Sequence, residues 1–217
     1  MKRFLTLSTL VLACGTALLA GPEYLISVDT SGLGSVGGYI DLAFDKANSD
    51  ALGATATITG FTSTGFTFNG SNSSTGGVTG SLDAPPLVIA NDGGAANFYD
   101  EGVTSFGSEF SLLVDFDGPA IGEASLDVSD FFVSLLDGDG NFIGGDPVTG
   151  AVADITIGTD GNLTAQTTAN ASASGVPEPA TLLTGGFGAL LLFAIRRRSL
   201  AGQDGILPRR SAALVAR

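Results

Sequence analysis

The chain has 217 residues, a net charge of −13 at pH 7, no histidine, no tryptophan and one cysteine, Cys14. Without histidine it holds no Ser-His-Asp or Cys-His nucleophile system and no imidazole zinc site. Between Gly21 and Gly175 there are 20 Asp plus Glu and one basic residue, Lys46, a segment charge of about −19 that repels nucleic acid and anionic membrane.

Lys2 and Arg3 precede an apolar run from Phe4 to Ala20, interrupted only by small or hydroxyl residues. This is the pattern of a secretory signal peptide over residues 1–20, with Gly21 the first mature residue. Val11-Leu12-Ala13-Cys14-Gly15 also resembles a lipoprotein signal box, against which stand the bulk of Leu12 and the continuation of the run to Leu19. Cleavage after Ala20 leaves no cysteine, so burial and hydrogen bonding must hold the core.

The exported segment has the size of one domain, and its texture is of short apolar or alternating runs separated by Gly, Asn, Asp and Ser. Tyr24–Asp29 opens it. Across Tyr39–Asp45, Ile40, Leu42 and Phe44 alternate with Asp41, Ala43 and Asp45, which predicts a strand with one buried face. Ala54–Phe61 alternates again, with Thr55, Thr57 and Thr59 opposite Ala56 and Ile58. Asn69–Gly80, rich in Gly, Ser and Asn, reads as an exposed loop. In Ala84-Pro85-Pro86-Leu87-Val88-Ile89 the paired prolines start or end a strand at a sheet edge.

Phe98 and Tyr99 lie in the next segment. Period-two alternation then runs over eleven residues, Phe106–Phe116. Phe131–Leu136 is apolar on both faces except for Ser134, as in a central strand. Asp137-Gly138-Asp139-Gly140-Asn141 turns the chain into Phe142-Ile143. Val152–Ile157 and Asn162–Thr168 form a last hairpin, and Ala169–Gly175 reads as a small-residue linker. These runs amount to about nine to eleven strands, which predicts an all-β antiparallel sandwich, jelly-roll or Ig-like, over residues 21–168.

Carboxylates remain in this segment, and a pair of them is the arrangement that could serve as acid and base. Asp115 and Asp117 end a strand beside Gly118-Pro119, a turn-capping position rather than an acid and base pair for glycoside hydrolysis. The three tyrosines are scattered, and no catalytic residue is assigned. Asp137, Asp139 and Asn141 copy the first three ligand positions of an EF-hand loop. The copy ends at Phe142 and Val148, where Gly and Glu belong, leaving a weak calcium site or a plain hairpin. No cofactor other than this weak calcium is expected.

Near the end come Val176-Pro177-Glu178-Pro179, a 16-residue apolar run from Ala180 to Ile195, and Arg196-Arg197-Arg198. The run is short for the ~20 residues of a membrane span. The arginines place its amino-terminal side outside the cytoplasm, and the prolines keep the preceding peptide extended. These three parts, in this order, resemble the PEP-CTERM sorting signal of Gram-negative bacteria that make exopolysaccharide.

The resemblance implies that exosortase, a membrane-embedded cysteine transpeptidase-like enzyme, recognises Pro177, Glu178 and Pro179 and cuts near them. It also implies that residues 180–195 are a transient membrane helix stopped by Arg196, Arg197 and Arg198. Family members usually end soon after the arginines, whereas this chain continues through residues 199–217, either as a cytoplasmic tail or as a misread stop. The order from Asp29-Thr30-Ser31 through Gly37-Gly38-Tyr39 to the Phe131 strand and the Asp137 turn resembles an ectodomain recurrent among PEP-CTERM proteins, which has no assigned activity. The expected function is that of a non-enzymatic structural or interaction protein, exported through the inner membrane to the cell surface or exopolysaccharide matrix. The alternative is an extracellular glycan-binding module with weak calcium binding.

Overall fold

The computed structural model describes residues 21–33, 35–91 and 96–177. The signal-peptide segment 1–20, Glu178, Pro179, residues 180–195, Arg196, Arg197, Arg198 and the tail 199–217 lie outside the described residues. Among the described residues there are twelve strands and no helix. They are β1 (Glu23–Asp29), β2 (Gly38–Lys46), β3 (Thr55–Thr64), β4 (Thr67–Thr75), β5 (Gly77–Thr79), β6 (Leu87–Ala90), β7 (Phe98–Ser105), β8 (Glu109–Asp117), β9 (Ser129–Asp137), β10 (Ala151–Ile157), β11 (Leu163–Thr167) and β12 (Ala171–Val176). The first sheet runs β12-β1-β8-β3-β6-β5 and the second β11-β10-β9-β2-β7-β4. Every named pair is antiparallel.

The predicted alternation becomes the core. Ile40, Leu42 and Phe44 of β2, Phe110, Leu112, Val114 and Phe116 of β8, and Phe131 and Val133 of β9 are all fully buried. Phe116 of the first sheet meets Phe44 and Phe131 of the second edge-to-face, with ring centroids 5.9 and 5.6 Å apart, so the two sheets pack face to face as in a β-sandwich. Burying each such side chain contributes about 1.5–3 kcal/mol. A second aromatic group, Phe61, Phe66, Phe68 and Phe110, closes the end where the chain passes from β3 to β4. Phe61 joins it because a bulge between Ile58 and Gly60 shifts the register of β3 against β8 and returns an odd-numbered residue to the inner face.

Four sequence expectations need correction. Asn69–Gly80 is not a loop: β4 and β5 occupy it, and their backbone groups are satisfied by β7 and β6 although the side chains of β4 are almost all exposed. The chain changes sheets between them at Gly76, whose φ of 79° suits glycine. β6 is therefore not an edge strand, because β5 lies outside it. Phe106–Phe116 is not one strand: Gly107, at φ 63°, turns the chain, and Phe106 is buried in that turn ahead of β8.

Finally, the small-residue stretch 169–175 is not a linker, for β12 pairs along β1 from Ala171 to Val176. Its alanines and serines are flat and uncharged, and Ala171 and Ala173 pack on the core. The folded unit accordingly extends to Val176.

Among the described residues one charged side chain lies inside. Glu101 on β7 is 1 % exposed and accepts a hydrogen bond from the hydroxyl of Tyr99, whose oxygen accepts from the Leu82 amide at 3.2 Å. Burial pushes the Glu101 carboxyl up from its ordinary range, and burial likewise raises Tyr99.

Candidate functional site

The outer face of the second sheet carries the densest chemistry among the described residues. The registers place Ser134, Asp41, Asp100 and Ser73 in one row across β9, β2, β7 and β4. Like charges directly opposite on neighbouring strands repel, and Asp41 and Asp100 resolve the conflict by hydrogen bonding carboxyl to carboxyl. Partial burial, the Asp100 charge and that hydrogen bond, with Asp45 adding to them, push Asp41 up to about 7. Asp41 therefore keeps its proton up to near neutral pH. Ser73 Oγ donates to the other oxygen system, reaching Asp100 Oδ2 at 2.9 Å.

Beside this pair lies a groove of about 420 Å³ lined by Tyr39, Ser71, Asn72, Ser73, Asp100, Leu136 and Gly140. Two local features build it. β4 slips register against β7 between Phe68 and Asn72, and Ser71, Asn72 and Ser73 just past the slip form one side of the groove. Opposite Tyr39 in the register stands Gly102, where a Cβ would run into Asn69 and Ser71, so the wall closes down on bare backbone. Further along the same face, Asp154 is pushed up to about 6 by partial burial and the nearby Asp130, and its Oδ1 is buried without a hydrogen-bond partner.

The calcium candidates form a compact turn. Asp137 Oδ1 accepts from the amides of Asp139 and Asn141, both at 2.9 Å, and Asn141 Nδ2 reaches Asp137 Oδ2 at 3.0 Å. These bonds hold the Asp137 carboxyl below its usual range. Asp137 and Asn141 are thus brought together with each other, while Asp139 contributes its backbone. Among the described residues no group of three or more His, Cys, Asp or Glu is arranged to hold a metal ion.

Of the sorting residues, Val176 is the last of β12 and pairs with Glu23, and Pro177 follows it directly. Glu178, Pro179 and Arg196–Arg198 fall outside the described residues. Sequence reading missed Asp100, Ser73 and the pairing of Asp41 across the strands. The alternation of β2 already turned Asp41 outward, but its neighbour depends on β7 lying next to β2, which no local pattern carries. No model of a known protein family, no curated protein and no solved structure matches this chain.

Proposed function

We propose that this chain is an exported structural or interaction protein of the cell surface or exopolysaccharide matrix, sorted through the motif Val176, Pro177, Glu178 and Pro179 and processed near it by exosortase. The order of strands in the two sheets, β1-β8-β3-β6 opposite β2-β7-β4, favours a jelly-roll rather than an Ig-like sandwich. One observation carries the functional reading: the last strand among the described residues, β12, ends on Val176, the first residue of the motif. β12 is zipped to β1 up to Val176, and Pro177, which has no amide to donate, ends the ladder. A recognition peptide placed there leaves a complete sandwich on one side of any cut.

Changing Pro177, Glu178 and Pro179 together to alanine tests this reading in an exosortase-positive host. Export through the inner membrane should continue, while full-length precursor accumulates in the membrane, a shift read by fractionation and by mass spectrometry of the carboxyl terminus. Normal maturation of the variant, or wild-type protein that still carries Arg198, would overturn it.

The groove on the second sheet favours a second reading, an extracellular glycan-binding module. Calcium has less support, because the oxygens of Asp137 are already taken by nitrogen donors.

A further inference from the structure

We propose that the groove between Tyr39 and the β4 wall is a binding site for a stretch of neutral, hydroxyl-rich saccharide chain, with Tyr39 and Leu136 as its apolar floor and Asn72, Ser71, Ser73 and Asp100 as its hydrogen-bonding rim. The proposal rests on the glycan-binding reading and supplies the site and ligand class for it.

Chemistry narrows the occupant in three steps. Anionic ligands such as uronate or phosphate chains meet a carboxyl pair in a segment whose one basic residue is Lys46, so charge rejects them. An added peptide strand needs an open sheet edge with unpaired amides. The groove instead crosses the face of β9, β2, β7 and β4, where the ladders already pair the strands. What remains is a ligand with an apolar side to lie on a ring and many hydroxyls to exchange hydrogen bonds, which describes a pyranose.

The rim suits it. Asn72 both donates and accepts, the Ser71 and Ser73 hydroxyls, which donate to Asn69 Oδ1 and Asp100 Oδ2, keep lone pairs that accept, and Asp100 presents carboxyl oxygens beside Asp41, which holds its proton up to about pH 7. Glycine at 102 matters here because a side chain would displace Asn69 and Ser71, which shape the wall. Structural packing alone accounts for a tyrosine opposite a glycine; the groove beside it is lined besides by Ser71, Asn72, Ser73 and Asp100, four polar side chains against the two apolar bodies of Tyr39 and Leu136.

Binding of the full chain in detergent to neutral oligosaccharides (malto-, cello- and xylo-series) is measured by calorimetry. Oligogalacturonate serves as the anionic counterpart and oligolysine as the cationic peptide. At least one neutral series should bind. Tyr39→Ala should weaken it about tenfold, the loss of one aromatic contact, and Tyr39→Phe should restore most of it. Asn72→Lys, on an exposed edge position where folding is not at stake, should block the groove to a similar degree, while Gln166→Ala on β11 should change nothing.

If neutral oligosaccharide binds but neither Tyr39→Ala nor Asn72→Lys weakens it, the groove is wrong and the glycan-binding reading stands. Failure of every neutral series to bind overturns both. A preference for oligolysine or oligogalacturonate over the neutral series overturns the assignment of ligand class.

Discussion

The central outward rows of the two sheets differ in one kind of atom. On the first sheet the row across β12, β1, β8 and β3 is Ser172, Ser27, Ser111 and Thr62, and the Ser27 and Ser111 hydroxyls bond at 2.8 Å. The equivalent row of the second sheet is Ser134, Asp41, Asp100 and Ser73. A hydroxyl is donor and acceptor at any pH, so the serine row closes on itself. Two carboxyls close only while they hold a proton between them. The same strand geometry thus yields one inert face and one face whose state follows the medium.

The largest effect should come from carrying a carboxylate to the other side of the strand. Leu112→Asp on β8 faces the interior, and burying an unpaired charge there costs several kcal/mol, on the order of the whole stability. The variant should be unfolded by circular dichroism. Its outward neighbour Ser111→Ala loses only the bond to Ser27, about 1 kcal/mol, and should remain folded with a stability deficit independent of pH.

The next effect, intermediate in size, belongs to the carboxyl row. Asp41 ionises near 3.8 in an unfolded chain and near 7 in the fold, with Asp154 near 6 and Glu101 raised in the same direction. Between the unfolded and folded values the native state holds protons that the unfolded chain releases. This stabilisation is complete below about pH 4 and is lost as pH rises through about 7. Asp29, Asp137, Asp146 and Asp160 shift downward and act oppositely, but only on the acid side. The melting temperature should therefore fall from pH 5 to pH 8, by on the order of 5 °C. Asp41→Asn should remove most of that slope, and a slope unchanged by Asp41→Asn would show that the row is not its source.

The smallest effect is expected at the Asp137 turn. With Asp137 accepting from three nitrogens, calcium and magnesium should raise the melting temperature equally, through screening of an acidic surface. Saturable calcium binding that magnesium does not reproduce, and that Asp139→Asn weakens, would instead establish a metal site.

How much of this was legible follows from where each signal resides. β2, β8 and β9 announce themselves because burial on one face writes alternation into the residues. β4 and β12 do not, since an edge strand of exposed Ser, Asn, Thr, Gly and Ala is held by its partner's backbone and leaves no apolar period. Phe61 broke the expected phase because a bulge costs one residue that no composition rule marks. The candidate site was half readable: Asp41 was recognisably outward, but its meeting with Asp100 is a fact of strand order. In a sandwich whose successive strands mostly alternate between sheets, strand order is set by contacts far apart in the chain.

The register of β12 on β1 sets Glu23 beside Val176. Across the whole sandwich the chain therefore travels out and back to arrive one strand spacing, about 4.8 Å, from where it started. A module with coincident ends asks nothing of the polypeptide that carries it. It should tolerate transplantation into a surface loop of an unrelated host protein, or permutation with Val176 joined to Glu23 by a short turn and new ends opened at an exposed tip such as Gly138–Gly140.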